Sequence, residues 1–450
     1  MAQGVNIPER RVSQSRMATT LQKRGPSYLA VFFILSLLVP MIFRIGPILL
    51  MPHRIVLLLV FIPLLAGLLS GKAGRVLLID WLMLFSALWA ALALAVNHGL
   101  GASIEAMGIH ILEFFGAYLL GRVAIRSAGD FRLFVLVFFC VVLFLLPFAA
   151  LESITRKPIL LDLIPNSLRP VTLGVRMGMR RAQTIFAHPI LYGAFVSAGC
   201  GLFWYSLKPS MRSLSFFVVA LSTIFSLSAG ALIAFFFQSG LIAWDWAARS
   251  IRHRWRIFGL GGVAAYIVID LISNRSPFHV ITSYASFSPD SAYNRILIWE
   301  FGTQNVMANP IFGLGLNDWE RPSWMGGSID NFWLLVAMQF GLPAIGSFVI
   351  ALVIIVWRLS RATLKNPFDQ ACRAGYLVTL GGIVIAGGTV HYWHAIMAFV
   401  LFFFGSGVWM ISGGASEDVS GQPVPGHPGE TPAPPSPKSR YSRFAATKKR

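Results

Sequence analysis

Arg176, Arg180 and Arg181 fall within six residues of one another in the stretch GVRMGMRRAQTIFAHP, positions 174–189. A guanidinium fork matches phosphate oxygens two at a time, and such charge-assisted contacts strengthen where water is scarce. Several arginines converging on one place suit a diphosphate. The alternative is that they pin the loop to lipid headgroups, or pair with Asp290, Asp318 and Asp330.

A second candidate is SIDNFWLLVAMQFGLP, which opens a long apolar run. Asp330 stands where a helix N-cap would stand, and its charge suits the helix dipole. As a carboxylate facing the arginines it is also able to take a proton from a sugar hydroxyl, with Asn331 holding the sugar or the base by hydrogen bonds. The segment HYWHAIM adds His391 and His394, each a base or a donor to substrate. Glu105, His110 and Glu113 lie inside another apolar run, with both glutamates on one helical face. Ionisable groups within a membrane span mark function or a structural polar network. GLGLN at 313–317 is a lone GxG outside any strand–turn–helix unit, so it carries no nucleotide-binding reading. A P-loop, a DxD pair and an HExxH motif are all absent. The chemistry is therefore expected to need no ATP, metal or other cofactor. Cys140, Cys200 and Cys372 form neither a disulfide framework nor a metal-ligand cluster.

The elements that must position these groups follow from composition. Of 450 residues 56% are hydrophobic and 12% charged, with a mean hydropathy of +0.68. Runs such as FRLFVLVFFCVVLFLLPFAA reach the roughly 20 apolar residues that span a bilayer. The expected fold is all-α: a polytopic integral membrane bundle of about twelve transmembrane helices with two large periplasmic loops. The first apolar run begins near Tyr28 without a small-residue cleavage site and reads as a retained span. The spans fall near 28–50, 55–70, 76–96, 103–121, 131–151, 187–207, 213–229, 231–248, 256–272, 331–357, 374–390 and 394–412, the seventh and eighth being divided at SLSAGA. They separate a basic cytoplasmic segment (1–27), helices 1–5 (28–151), a periplasmic basic loop (152–186), helices 6–9 (187–272), a large periplasmic loop (273–330), helices 10–12 (331–412) and a disordered basic cytoplasmic tail (413–450).

With both termini in the cytoplasm, the inner segments carry 26 of the 37 Lys and Arg residues and the outer ones 11, as the positive-inside rule requires. That rule accounts for the net charge of +19 without a nucleic-acid partner. Trp81, Trp204 and Trp357 fall at the inner face and Trp333 and Trp393 at the outer. Six of the outer basic residues crowd the 152–186 loop: Arg156, Lys157, Arg169, Arg176, Arg180 and Arg181. In the second loop, Ala292, Ile296, Trp299 and Val306 recur at near-helical spacing between Pro289 and Pro310, which predicts an amphipathic helix.

In order and spacing, RRAQTIFAHPILYGA, SLSAGALIA, YNRILIWEFGTQNVMANPIFGLGLNDW and DNFWLLVAMQFGL resemble the O-antigen ligase / O-antigen polymerase family, over roughly residues 170–345. The resemblance implies a GT-C-type glycosyltransferase of the bacterial inner membrane. Its donor would be an undecaprenyl-diphosphate-linked oligosaccharide, and its acceptor another glycan or lipid A–core. A flippase and a chain-length regulator are the partners implied in the bilayer. Arg181 and Arg295 best match the family's diphosphate-holding arginines, and His188 joins Asn331 as a sugar contact. Two departures favour polymerase over ligase: Asp330 stands where ligases carry histidine, and Ala229 stands where the family's SRGA has arginine. Rival readings are a twelve-span secondary transporter and a non-catalytic partner of a polysaccharide export assembly.

Overall fold

The computed structural model describes residues 27–46, 48–166, 168, 175–284 and 289–411. Arg169, the expected tail and all of the N-terminal segment except Ser27 lie outside these residues. The structure is mostly helical. Eight helices among the described residues are long and apolar enough to cross a membrane, as a multi-pass membrane protein requires.

The first expected span is corrected. Helix α1 (Tyr28–Ser36) has nine residues, and an antiparallel hairpin follows, β1 (Phe43–Ile45) with β2 (Ile48–Leu50). Pro40 disfavours helical geometry in the residue before it, and Gly46, at φ +60°, supplies the turn. Helices α2 (Pro52–Leu69) and α3 (Leu78–His98) come next. The fourth apolar run is α4 (Leu100–His110), a π-helical turn (Ile111–Gly116) and α5 (Ala117–Ala124). Then come α6 (Ala128–Thr155), the short α7 (Ile159–Leu163), and α8 (Pro189–Ser197) with α9 (Gly199–Ser206). The long apolar stretch after Arg212 does break within SLSAGA. α10 (Arg212–Ser226) ends at Leu227, which turns left-handed at φ 43°, and α11 (Ala229–Ala247) begins two residues later.

α12 (Arg254–Ile272) buries no residue, so apolar side chains cover it all round and lipid is its natural neighbour. α13 (Pro277–Tyr284) precedes the expected amphipathic helix, α14 (Pro289–Ala308). Its buried face is Ala292, Leu297, Ile298, Gly302, Asn305 and Val306. Trp299, expected on that face, is 40% exposed. α15 (Phe332–Arg361), α16 (Pro367–Gly387) and α17 (Ala395–Ser406) complete the bundle.

Two packing arrangements fix the working end of the bundle. The first is α17, whose every residue from Ile396 to Ser406 is buried. Lipid offers no hydrophobic drive between helices, so close contact must supply the attraction. Gly405 and Gly121 provide it: a Cβ on either would lie about 2 Å from a carbonyl oxygen of the facing helix, Tyr118 O or Phe402 O. The second is a kink in α15 at Gly341 (φ 80°, ψ 174°). The kink frees the carbonyls of Met338 and Gln339, which accept from Leu314 N (2.7 Å) and Gly315 N (2.9 Å). The GLGLN segment therefore docks as backbone into the broken helix. Asn97 Nδ2 donates to Phe312 O and Gly313 O, and Leu316 N donates to His98 Nε2, which hold it from the α3 side.

Gly313 adopts φ +61°, and a Cβ there would lie 2.5 Å from Met338 O. Gly313→Ala is expected to destabilise the protein by more than about 1 kcal/mol. Gly326→Ala, in open space, serves as the control, with thermal unfolding in detergent as the measurement.

Candidate functional site

The arginine loop is organised by the end of a helix. The last carbonyls of α10 lack intrahelical donors and carry the negative end of its dipole. Loop 176–182 supplies what they lack. Ala182 N donates to Phe225 O (2.9 Å), Arg181 Nε to Ser226 O (3.4 Å) and Arg176 Nη1 to Leu227 O (3.1 Å). Upstream, Arg176 and Met179 exchange backbone hydrogen bonds across Met177 and Gly178, both at positive φ, the pattern of a tight two-residue turn.

The three clustered arginines do not share one environment. Arg181 is buried and lies within electrostatic reach of Arg176 and Asp330. Arg295, brought by α14, faces Asp330 and Arg176 as well. Arg180 turns elsewhere: its Nε lies 3.7 Å from Glu152 Oε1 and its Nη1 donates to Arg156 O. Glu152 also accepts from Thr184 N at 2.9 Å, so this pair anchors the loop to α6.

Arg181 and Arg295 thus both face the Asp330 carboxylate, and Arg176 faces both arginines, three positive charges against one negative. Burial lowers the Arg181 guanidinium to about 10, with Arg176 adding to the shift and Asp330 opposing it. Burial likewise lowers Arg295, against Asp330. Arg181 remains a cation at neutral pH, and arginine is not deprotonated in proteins.

The N-cap expectation for Asp330 is corrected. Asn331 caps α15, its Oδ1 accepting from Leu334 N at 3.0 Å. Asp330 accepts from Ser328 Oγ (3.1 Å) and is left facing the arginines. His188 caps α8 in a similar way, with Nδ1 accepting from Ile190 N.

The segment between α16 and α17 continues the site. Trp393 has the His188 ring at 5.9 Å on one side and the His391 ring at 5.2 Å on another. Phe332 N donates to Val390 O, tying the start of α15 to this segment. Burial, reinforced by His394, lowers His391 to about 4, so it is uncharged at neutral pH. His394 takes φ 51°, ψ −129°, a conformation rare outside glycine.

Beyond His394 lies a pair that reading the sequence missed, His53 and Arg54 at the start of α2. Both meet Glu113: His53 Nε2 at 3.0 Å and Arg54 Nε at 2.7 Å, all three groups being buried. Arg54 Nη1 donates to Leu49 O and Nη2 lies 3.5 Å from His394 Nδ1. Glu105, on the same helical run as Glu113, accepts from Leu49 N, so both carboxylates reach the 49–54 segment. His110 instead packs against Phe114 and Phe340. The signal for the missed pair was a His-Arg dipeptide at a span end facing an intramembrane glutamate.

A cavity of about 470 Å³ lined by Phe301, Gln304, Asn305, Asn309, Glu320 and Arg321 lies elsewhere. Gln304 is nine residues beyond Arg295, which places it on the opposite side of α14. Among the described residues no group of three His, Cys, Asp or Glu is placed to hold a metal ion.

Residues 214–349 match the family profile described as O-antigen ligase. The match spans the Leu227 corner, Arg295 and Asp330, and it supports the O-antigen ligase/polymerase family that the motifs resemble. No curated protein matches the chain. Fold and match together support a membrane protein of the O-antigen ligase/polymerase type.

Two outcomes follow from this geometry. Glu113→Ala leaves Arg54 buried without its carboxylate and should cost about 3–5 kcal/mol. Glu113→Leu combined with Arg54→Met should cost less, as read by unfolding of the purified protein. Second, the unfolded chain binds a proton at His391 near pH 6.5 and the folded chain only near pH 4. Stability should therefore fall as pH drops through that window, and His391→Asn should flatten the decline.

Proposed function

We propose that this protein is a glycosyltransferase. It would move a glycan from a polyprenyl-diphosphate carrier, undecaprenyl diphosphate in bacteria, to a second glycan on the periplasmic face of the inner membrane. The observation that carries this reading is the convergence of Arg181 and Arg295 on Asp330, with Arg176 beside both, at one end of a membrane bundle. Their excess of two positive charges, three minus one, matches a diphosphate bearing one negative charge on each phosphate. A lipid-borne diphosphate reaches such a site along the membrane surface.

In the proposed step an acceptor hydroxyl oxygen attacks the anomeric carbon of the donor sugar. The bond from that carbon to the diphosphate oxygen breaks, and the electron pair leaves with the diphosphate. The arginines stabilise the charge that develops there, the part a metal ion plays in many nucleotide-sugar enzymes. Asp330 takes the hydroxyl proton, and His391, uncharged at neutral pH, is the second group able to do so. His394, His188 and Asn331 contact substrate, Asn331 through its amide nitrogen because its oxygen caps α15. Arg180 holds the loop through Glu152.

Polymerase is favoured over lipid A–core ligase because Asp330 replaces the ligase histidine. Ala229 lacks the family's arginine, and Arg176, bonded to Leu227 O two residues away, supplies a guanidinium at the same corner. Both termini would face the cytoplasm, with a flippase and a chain-length regulator as partners.

The test is purified protein in lipid, given the carrier-linked repeat unit of its own host, with and without lipid A–core. A ladder of products without core is expected. A single core-dependent product would make it a ligase, and no product from folded protein would refute the reading. Arg181→Ala and Arg295→Ala should each lower the rate by about 10²–10³-fold. Arg180→Ala should retain far more, after correction for folded protein.

A further inference from the structure

Three unusual features meet at one point in the bundle. His53, Arg54 and Glu113 are ionisable groups buried within membrane-spanning helices, where such groups are costly and tend to mark function. Glu113 sits in a π-helical turn between two α-helical segments, a local widening frequent at functional sites. His394 holds a strained backbone at the head of the most deeply buried helix. The Arg54 guanidinium joins all three. Its Nε is fixed by Glu113, its Nη1 by Leu49 O, and its Nη2 is directed at His394 Nδ1.

We propose that Arg54 is a positioning residue that fixes His394 as a neutral imidazole with its proton on Nε2. Arginine has donors and no acceptor, so the Nδ1 facing it must accept. The remaining ring proton is then on Nε2, and His394 meets substrate as a hydrogen-bond donor. Glu113 keeps Arg54 in place, and His53 meets the same carboxylate oxygen. The charged and titratable groups facing His394 are Arg54, Glu113, His53 and His391. This deepens the glycosyltransferase reading and rests on it for the identity of the substrate. It assigns the proton-accepting role to Asp330 or His391, and to His394 a contact with a substrate oxygen.

Full-length protein labelled with ¹⁵N-histidine in lipid nanodiscs gives the direct readout. Wild type is expected to show the His394 Nδ1 signal as an unprotonated nitrogen. Arg54→Lys, which retains a positive charge beside Glu113 but loses the fork, should show a mixture of tautomers. Identical His394 signals in the two proteins would overturn the inference, whatever the protein catalyses.

Kinetics supply the second arm. His394→Gln places an amide donor near the Nε2 position and should lose no more than about tenfold in kcat, whereas His394→Phe should lose at least about a hundredfold. Equal loss in both would make His394 a base and overturn the donor role. Arg54→Lys should lower kcat about tenfold with the donor KM unchanged, and should have no further effect in the His394→Gln background. Independent, multiplying effects would also overturn it. If folded protein yields no transfer product while the histidine signals respond as expected, the positioning stands and the glycosyltransferase reading falls.

Discussion

The site depends on one interaction, the capture of a cationic loop by the open end of a helix. Helix α10 stops at Ser226 because Leu227 turns left-handed, and its last carbonyls are left to find donors. Loop 176–182 provides them from backbone and guanidinium alike. The arrangement serves both sides. The helix gains partners for groups that would otherwise be bare, and two arginines gain fixed positions. With Arg176 and Arg181 held there, Arg295 on α14 and Asp330 before α15 complete the cluster from the second long loop. Docking of the GLGLN backbone into the α15 kink holds that loop in register with the helix it precedes.

Charge in this molecule is placed where something answers it. At one end of the bundle, Asp80 meets Arg122 and Tyr118, and Asp245 meets Arg254 and Tyr205. At the other end the balance differs: Glu152 meets Arg180 and Glu113 meets Arg54, but Arg181 and Arg295 share Asp330 with Arg176 beside both. Mutual repulsion and burial make that excess unfavourable for the protein alone, and an anionic ligand would relieve it. Trp393, between His188 and His391, links this cluster to the buried His394–Arg54–Glu113 network.

Much of this was legible in the sequence. Long apolar runs announced the helices, SLSAGA announced a break, and the density of arginine marked the 174–189 stretch. Asp330 and the two histidines of HYWHAIM were singled out on chemical grounds, and Arg295 by its place in the motif of the family the chain resembles. What stayed hidden depended on direction or on distant contacts. Arg180 and Arg181 are adjacent and identical, yet one reaches Glu152 and the other Ser226 O. The cap fell to Asn331 instead of Asp330, a one-residue shift that composition does not resolve. His53 and Arg54 looked like an ordinary span end until the fold brought Glu113 and His394, distant in sequence, to meet them. The first apolar run had the length of a span, but Pro40 and Gly46 made it a short helix and a hairpin.

The most direct test of the central claim is a structure of the protein in lipid with undecaprenyl diphosphate bound. The diphosphate is expected within hydrogen-bond distance of Arg181 and Arg295, with Arg176 closing on it and Arg180 still turned toward Glu152. A diphosphate bound away from these arginines, or at the opposite end of the bundle, would contradict the account.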